Sequence, residues 1–136
     1  MKGKKAQIAP EAVLVAGVML FFLLSVYIAS GHLKQQNAIL GQSLQASAAA
    51  SQVAIAINKV AAAGNGSKIV FFNSAAKGVS NITIYGGRAV KAACKAGCYV
   101  SVPLSTNNTI LSGSTIPLNS NIYVNNTEGT IYIGEL

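Results

Sequence analysis

The chain has 136 residues, which is enough for one domain of ordinary size. Hydrophobic residues make up 51% of it and charged residues only 10%, whereas an average soluble domain carries about 25% charged residues. It has a formal net charge of +7, one His, no Asp and three Glu. Because these residues supply no paired carboxylates, no HExxH motif and no phosphate-binding loop, we expect no enzyme, no cofactor and no metal site.

The positive charge is unevenly distributed along the chain. Three of the ten basic residues, Lys2, Lys4 and Lys5, lie within the first five positions, and the others are scattered singly from Lys34 to Lys95. Nucleic-acid sites need clustered cations, which in single-strand binders are interleaved with aromatic residues. We therefore expect no nucleic-acid partner.

The segment from Ala12 to Ala29 contains 18 residues and no charged side chain. As a helix it is about 27 Å long, close to the roughly 30 Å hydrocarbon core of a bilayer. The lysines before it are expected to stay in the cytoplasm, which places the chain after Ser30 outside. A secretory signal peptide cleaved near Ser30 is the alternative.

The segment before the apolar run, KKAQIAPE, covers Lys4 to Glu11. It resembles the class III signal peptide of archaeal type IV pilin-like proteins, in which a short basic leader precedes the hydrophobic helix. The resemblance implies cleavage by a prepilin peptidase between Ala6 and Gln7, which makes Glu11 the fifth mature residue.

The resemblance covers roughly residues 2–30. At the third and ninth mature positions the family often has Ser and Leu, where this chain has Ala9 and Val15. The C-terminal half resembles no family that we can name.

The resemblance implies a structural subunit of an extracellular filament, more typical of an adhesive pilus than of a swimming filament. The precursor is expected in the cytoplasmic membrane and the mature protein in a homopolymer on the archaeal surface, held together by N-terminal helices. A prepilin peptidase, an assembly ATPase and a membrane platform protein are the implied partners. The alternatives are a permanently anchored single-pass surface protein with a ligand-binding head, an archaellum subunit and a minor pilin.

Glu11 is a lone carboxylate at the edge of the apolar segment, where a charge is costly without a partner. After cleavage it can neutralise the new amine of Gln7 on an adjacent subunit during assembly. The alternative is that it only stabilises the positive end of its own helix, worth about 0.3–1 kcal/mol. Pro10 is expected in the first helical turn, where its missing N–H does no harm.

The helix is expected to continue past the apolar segment to Ala63, because Gly64-Asn65-Gly66 is a stop signal. At 100° per residue the extension carries two apolar stripes on opposite sides. One contains Leu33, Leu40, Leu44, Ala48 and Ile55, and the other contains Ile39, Ala46, Ala50, Val53, Ile57 and Val60. One stripe can carry the head and the other is free for a neighbouring helix, although a helix central to a single domain is also possible.

After the stop, short strand-like runs alternate with turn residues, which predicts an α+β protein with a small antiparallel sheet on the helix. The expected organisation is a leader at 1–6, a helix at 7–63 with its membrane or filament-core segment at 12–29, and a β-rich extracellular head at 64–136. Turns are expected at Gly86-Gly87 and over Asn125 to Gly129. The predicted strands are 68–72, 79–85, 88–92, 99–104, 109–111, 115–118, 122–124 and 130–133.

Two further features of the head fit an exported protein. Cys94 and Cys98 are the only cysteines and are expected to form a disulfide beside a hairpin loop. Four Asn-x-Ser/Thr sequons are candidates for N-glycosylation. Asn65, Asn107 and Asn125 lie in predicted loops, and Asn81 lies in a predicted strand.

Overall fold

The computed structural model describes residues 4–74 and 77–136, with side chains from Pro10 onward. Residues 1–3 of the predicted leader lie outside the described part. One 60-residue helix, α1 (Lys4–Ala63), precedes seven strands. The strands are β1 (Lys68–Asn73), β2 (Val79–Tyr85), β3 (Ala89–Cys94), β4 (Tyr99–Pro103), β5 (Thr109–Leu111), β6 (Ser120–Thr127) and β7 (Thr130–Glu135). The predicted α+β layout, a long N-terminal helix followed by a small β head, is therefore confirmed.

α1 runs without a break through Gly17 and Gly31 and ends at Ala63, where the sequence predicts its end. Gly64 has a φ of 85°, a left-handed conformation that other residues adopt only with strain. The Ser67 hydroxyl lies within hydrogen-bond distance of the Val60 and Gly64 carbonyls, at 2.8 and 2.7 Å. The hydroxyl has one proton, so it donates to one of these carbonyls at a time. The Val60 carbonyl belongs to the last turn of the helix, where carbonyl groups have no partner inside the helix.

The chain divides into two compact units, Met1–Ala38 and Ile39–Leu136. The second unit contains all the strands together with the helix residues from Ile39 to Ala63. This unit therefore begins inside α1.

The strands form two sheets, whereas the sequence suggests one. The four-stranded sheet has the order β1-β6-β7-β5, and the three-stranded sheet has the order β2-β3-β4. All pairs are antiparallel except β5 and β7, which are parallel. The predicted strand at 115–118 is reduced to a single bridge between Ile116 and Ile82. Pro117 has no N–H with which to extend that pairing.

Both sheets and one face of α1 share a single hydrophobic core. The helix contributes small and β-branched side chains, which let the strands approach closely: Ala46, Ala49, Ala50, Val53, Ala54, Ala56, Ile57 and Val60. The sheets and the bridge residue supply larger ones: Ile82, Val90, Ile116, Ile122, Val124, Ile131 and Ile133. The helix is therefore one wall of the core of the second unit.

The two predicted turns have different outcomes. Gly86-Gly87 forms the tip of the β2–β3 hairpin, as expected, and the Arg88 N–H bonds the Tyr85 carbonyl at 3.1 Å. The second turn is shorter than predicted, because β6 continues to Thr127 and only Glu128 and Gly129 connect it to β7. Both have positive φ, 53° and 82°, as a tight hairpin turn of this twist requires.

Candidate functional site

The N-terminal unit is a helix whose apolar side chains face solvent. Its most apolar 18-residue window has a mean hydropathy of 2.6, with none of it buried. Exposed large residues occur on every side of the helix: Val13, Leu14, Val15, Val18, Met19, Leu20, Phe21, Phe22, Leu23, Leu24, Val26, Tyr27, Ile28 and Leu33. By length and composition this helix can cross a membrane. Such a surface needs lipid or protein around it, since its exposure to water is strongly unfavourable.

Glu11 is an exposed carboxylate at the beginning of this surface. Val15 is one helical turn further along on the same side. The next charged residue along the chain is Lys34, 23 positions later, about 35 Å away along a helix. Glu11 therefore has no following cation within reach on its own helix.

The predicted cleavage residues Ala6 and Gln7 lie in the helical backbone, and their side chains are outside the described part. Because α1 begins at Lys4, Pro10 is its seventh residue, so the expectation that Pro10 lies in the first turn is wrong for the full chain. Pro10 lacks the N–H that would bond the Ala6 carbonyl four residues earlier. The helical hydrogen-bond ladder is thus interrupted at the residue that precedes the predicted cleavage point.

In the second unit, the two-stripe prediction for α1 is confirmed by burial. Ala46, Ala50, Val53, Ile57 and Val60 are buried, and of their predicted stripe only Ile39 is exposed. On the opposite side, large residues remain exposed to solvent: Leu40 by 60%, Leu44 by 64% and Ile55 by 54%. We call these three residues the exposed stripe.

The disulfide joins Cys94, the last residue of β3, to Cys98, which precedes β4. The predicted pairing and its place at a hairpin are confirmed. The Ala96 N–H bonds the Gln42 side-chain oxygen at 2.9 Å, and the neighbouring Gly78 N–H bonds the Gln45 side-chain oxygen at 2.9 Å. Since the disulfide closes a very short loop, its entropic effect is small. Within the loop that the disulfide closes, Ala96 is the residue that contacts the helix through Gln42.

The four sequons occupy different environments. Asn65 is exposed in the turn after α1, and its side-chain oxygen accepts a hydrogen bond from the Glu128 N–H at 2.8 Å. Asn81 is exposed on β2, an edge strand. Asn107 is exposed in a loop, but the hydroxyl of its sequon partner Thr109 is buried without a hydrogen bond.

Asn125 departs from its predicted location. It is half-buried within β6, between Lys68 of β1 and Tyr132 of β7, and not in a loop. The expectation failed because the turn after β6 needs only two residues, which leaves Asn125 inside the ladder.

One surface of the head was not predicted from the sequence. The outer face of the four-stranded sheet points away from the core. Beside polar residues it carries five apolar or aromatic side chains: Val70, Phe72, Ile110, Tyr123 and Tyr132. The signal was present in β1, where Ile69 to Phe72 is apolar at every position instead of alternating. A strand with one face in the core and the other in water is expected to alternate apolar and polar residues.

No group of three or more His, Cys, Asp or Glu that could hold a metal occurs among the described residues. Comparisons with protein-family models, with curated proteins and with solved structures find no match to this chain.

Proposed function

We propose that this chain is the precursor of a structural subunit of an extracellular type IV pilin-like filament of the adhesive kind. The observation that carries the proposal is the fully solvent-exposed apolar helix of the N-terminal unit. In the membrane, lipid covers this surface before assembly. In a filament, the equivalent helices of other subunits cover it.

Processing by a prepilin peptidase would remove residues 1–6 and leave Gln7 as the new N-terminus. The local sequence supports this step, because Pro10 leaves the Ala6 carbonyl without its helical donor. A helix weakened at that turn is easier to unwind into a protease than a regular one. After cleavage Ala6 is gone, and Pro10 lies in the first turn of the mature helix, where it does no harm.

Glu11 would then act in assembly. Its carboxylate lies on a helix with no nearby following cation, so entry into an apolar filament core requires a positive partner from elsewhere. The free amine of Gln7 on an adjacent subunit supplies that charge. Pairing the two sets the axial register of one helix against the next.

The exposed stripe supports a second lateral contact. Leu40, Leu44 and Ile55 lie on the side of α1 opposite the core of the second unit. A neighbouring helix packed there would bury these side chains without disturbing the sheets. The homopolymer would therefore use both halves of α1.

The partners and location follow from this proposal. A membrane platform protein and an assembly ATPase would extract the processed subunit from the cytoplasmic membrane into the filament. The β-rich head would remain in solvent, where adhesion takes place.

The N-terminus of material sheared from the surface of the producing cells tests the proposal. We expect polymeric material whose first residue is Gln7, identified by N-terminal peptide mass. A detergent-extracted monomer that retains Met1 would contradict it.

The same experiment separates the second candidate, a permanently anchored single-pass surface protein with a ligand-binding head. The membrane-length helix and the apolar outer face of the four-stranded sheet favour that candidate. It predicts the intact N-terminus and no polymer.

A further inference from the structure

The outer face of the four-stranded sheet carries a group of exposed apolar and aromatic side chains. Val70 is 50% exposed, Phe72 54%, Ile110 46% and Tyr132 40%. Standard protein interfaces bury about 800 Å² and 20–30 residues on each partner. This face has only five such side chains, so it is small for a stable protein contact. Only one cation, Lys68, lies on it among the described residues, which is too few for a nucleic acid.

A glycosylation sequon lies in the middle of this face. Side chains two residues apart on a strand point to the same side, so Tyr123, Asn125 and Thr127 of β6 lie in one row. Across the sheet, Asn125 is paired with Lys68 on one side and with Tyr132 on the other. The neighbours of Asn125 on this face therefore include two tyrosines and one lysine.

Tyr123 is held in an orientation suited to stacking. A Cβ added to Gly134 on the neighbouring strand would lie 2.6 Å from the Tyr123 hydroxyl oxygen and 2.7 Å from its ring carbons. The ring therefore leans across β7 over the one residue without a side chain. The Lys68 ammonium lies 5.5 Å from the ring centre, in the range of a cation–π contact.

The amide of Asn125 itself is suitably disposed. Its Oδ1 is buried without a partner, whereas its Nδ2 makes no hydrogen bond among the described residues and is not among the buried polar atoms. Nδ2 is the atom to which an oligosaccharide is joined. A glycan there would leave toward solvent along the face.

We propose that Asn125 carries an N-linked oligosaccharide whose first sugars lie on the outer face, against Tyr123 and Tyr132. The donor is an oligosaccharide linked through phosphate to a polyprenyl lipid. Nδ2 forms a bond to C1 of the first sugar, the bond from C1 to the phosphate oxygen breaks, and the amide loses one proton while the lipid phosphate leaves. Because β6 is paired on both sides, the transfer precedes folding of the sheet.

The physical gain is coverage of the apolar face. The C–H faces of a sugar ring pack against aromatic rings through dispersion and weak hydrogen bonds. The hydroxyl groups of the sugar remain in water or meet the Lys68 ammonium. The face is thus covered by the chain's own modification.

Peptide mass analysis of the full chain from its producing cells tests the site. Cleavage after Tyr123 and Tyr132 isolates residues 124–132, which contain one sequon. We expect this peptide to carry an oligosaccharide mass that Asn125→Gln and Thr127→Ala abolish and Thr127→Ser retains. Thr127 is exposed, so its variants leave the fold intact. An unmodified 124–132 peptide in the wild-type protein would overturn the proposal.

A stability cycle tests the stacking. Loss of the glycan through Thr127→Ala should lower the melting temperature of the detergent-solubilised chain by about 2–8 °C. The same change in a Tyr123→Ala background should lower it by less than half as much. Equal shifts in both backgrounds would overturn the stacking.

This inference rests on the proposed function only for export of the head. An unmodified Asn125 in a polymer that starts at Gln7 would refute the glycan and leave the filament. A glycan on Asn125 in a chain that retains Met1 would support the glycan and refute the filament.

Discussion

Residues 10–29 and residues 46–60 belong to the same helix, and both are apolar, yet they use different side chains. The first segment contains Leu, Phe, Val and Met on all sides, and these side chains are exposed. The second contains Ala, Val and Ile on one face, and that face is buried under two sheets. Hydrophobicity alone therefore does not decide which segment is buried. One small head can cover one face of a helix but not bulky residues on all of its sides.

The two segments also differ in what covers their apolar side chains. The buried face of residues 46–60 is covered within the molecule by the core of the second unit. Residues 10–29 have no such cover within the described part of the molecule. The most direct tests therefore change one segment and measure assembly and head stability separately.

The largest expected effect comes from Glu11→Ala. Removal of one partner from a buried ion pair costs about 3–5 kcal/mol, so the yield of sheared filament should fall at least ~100-fold while the leader is still removed. Filament mass per cell and the N-terminal peptide measure the two outcomes. Glu135→Ala, at an exposed head position, is the matched control. A wild-type yield from Glu11→Ala would favour the alternative in which Glu11 only stabilises its own helix.

The next effect separates the two faces of residues 46–60. Ile57→Ala should lower the free energy of unfolding by about 2–5 kcal/mol, because its side chain is fully buried. Ile55→Ala, two residues away and 54% exposed, should change it by no more than about 0.5 kcal/mol and should reduce filament yield. Urea unfolding of the detergent-solubilised full chain measures both. Equal losses of stability would refute the assignment of the two faces.

The smallest effect concerns the end of the helix. Gly64→Ala should cost about 1 kcal/mol, because alanine is strained at a φ of 85°. Gly41→Ala is the control, since it lies inside α1 with nothing within 4 Å of an added Cβ; it should gain about 0.5–1 kcal/mol. The same unfolding measurement serves for both variants. A stabilising Gly64→Ala would show that the helix can extend past Ala63.

Several elements of the fold could be predicted from the sequence, because signals within a few residues determine them. The helix end at Ala63 follows from Gly64, and the hairpin at Gly86-Gly87 follows from its turn residues. The two stripes of α1 follow from the helical period alone. The disulfide follows from two cysteines four positions apart along one hairpin.

Other features depended on partners distant in sequence. The strand expected at 115–118 was reduced to one bridge, since Pro117 cannot extend a ladder and only Ile116 meets β2. Asn125 was expected in a loop but lies in β6, where it is paired with Lys68 and Tyr132. The parallel pairing of β5 with β7 also has no local signal.

The sequence by itself determined the long helix, its apolar first half, the start of the β-rich head and the position of the disulfide. These depend on periodicity, capping and spacing, which act over a few residues. Only the tertiary structure decided which helix stripe is buried, how seven strands divide into two sheets, and that Asn125 lies between Lys68 and Tyr132 on the outer face of a sheet. Those results depend on contacts between residues far apart in the chain, and cross-strand register sets such contacts without leaving a pattern in either strand.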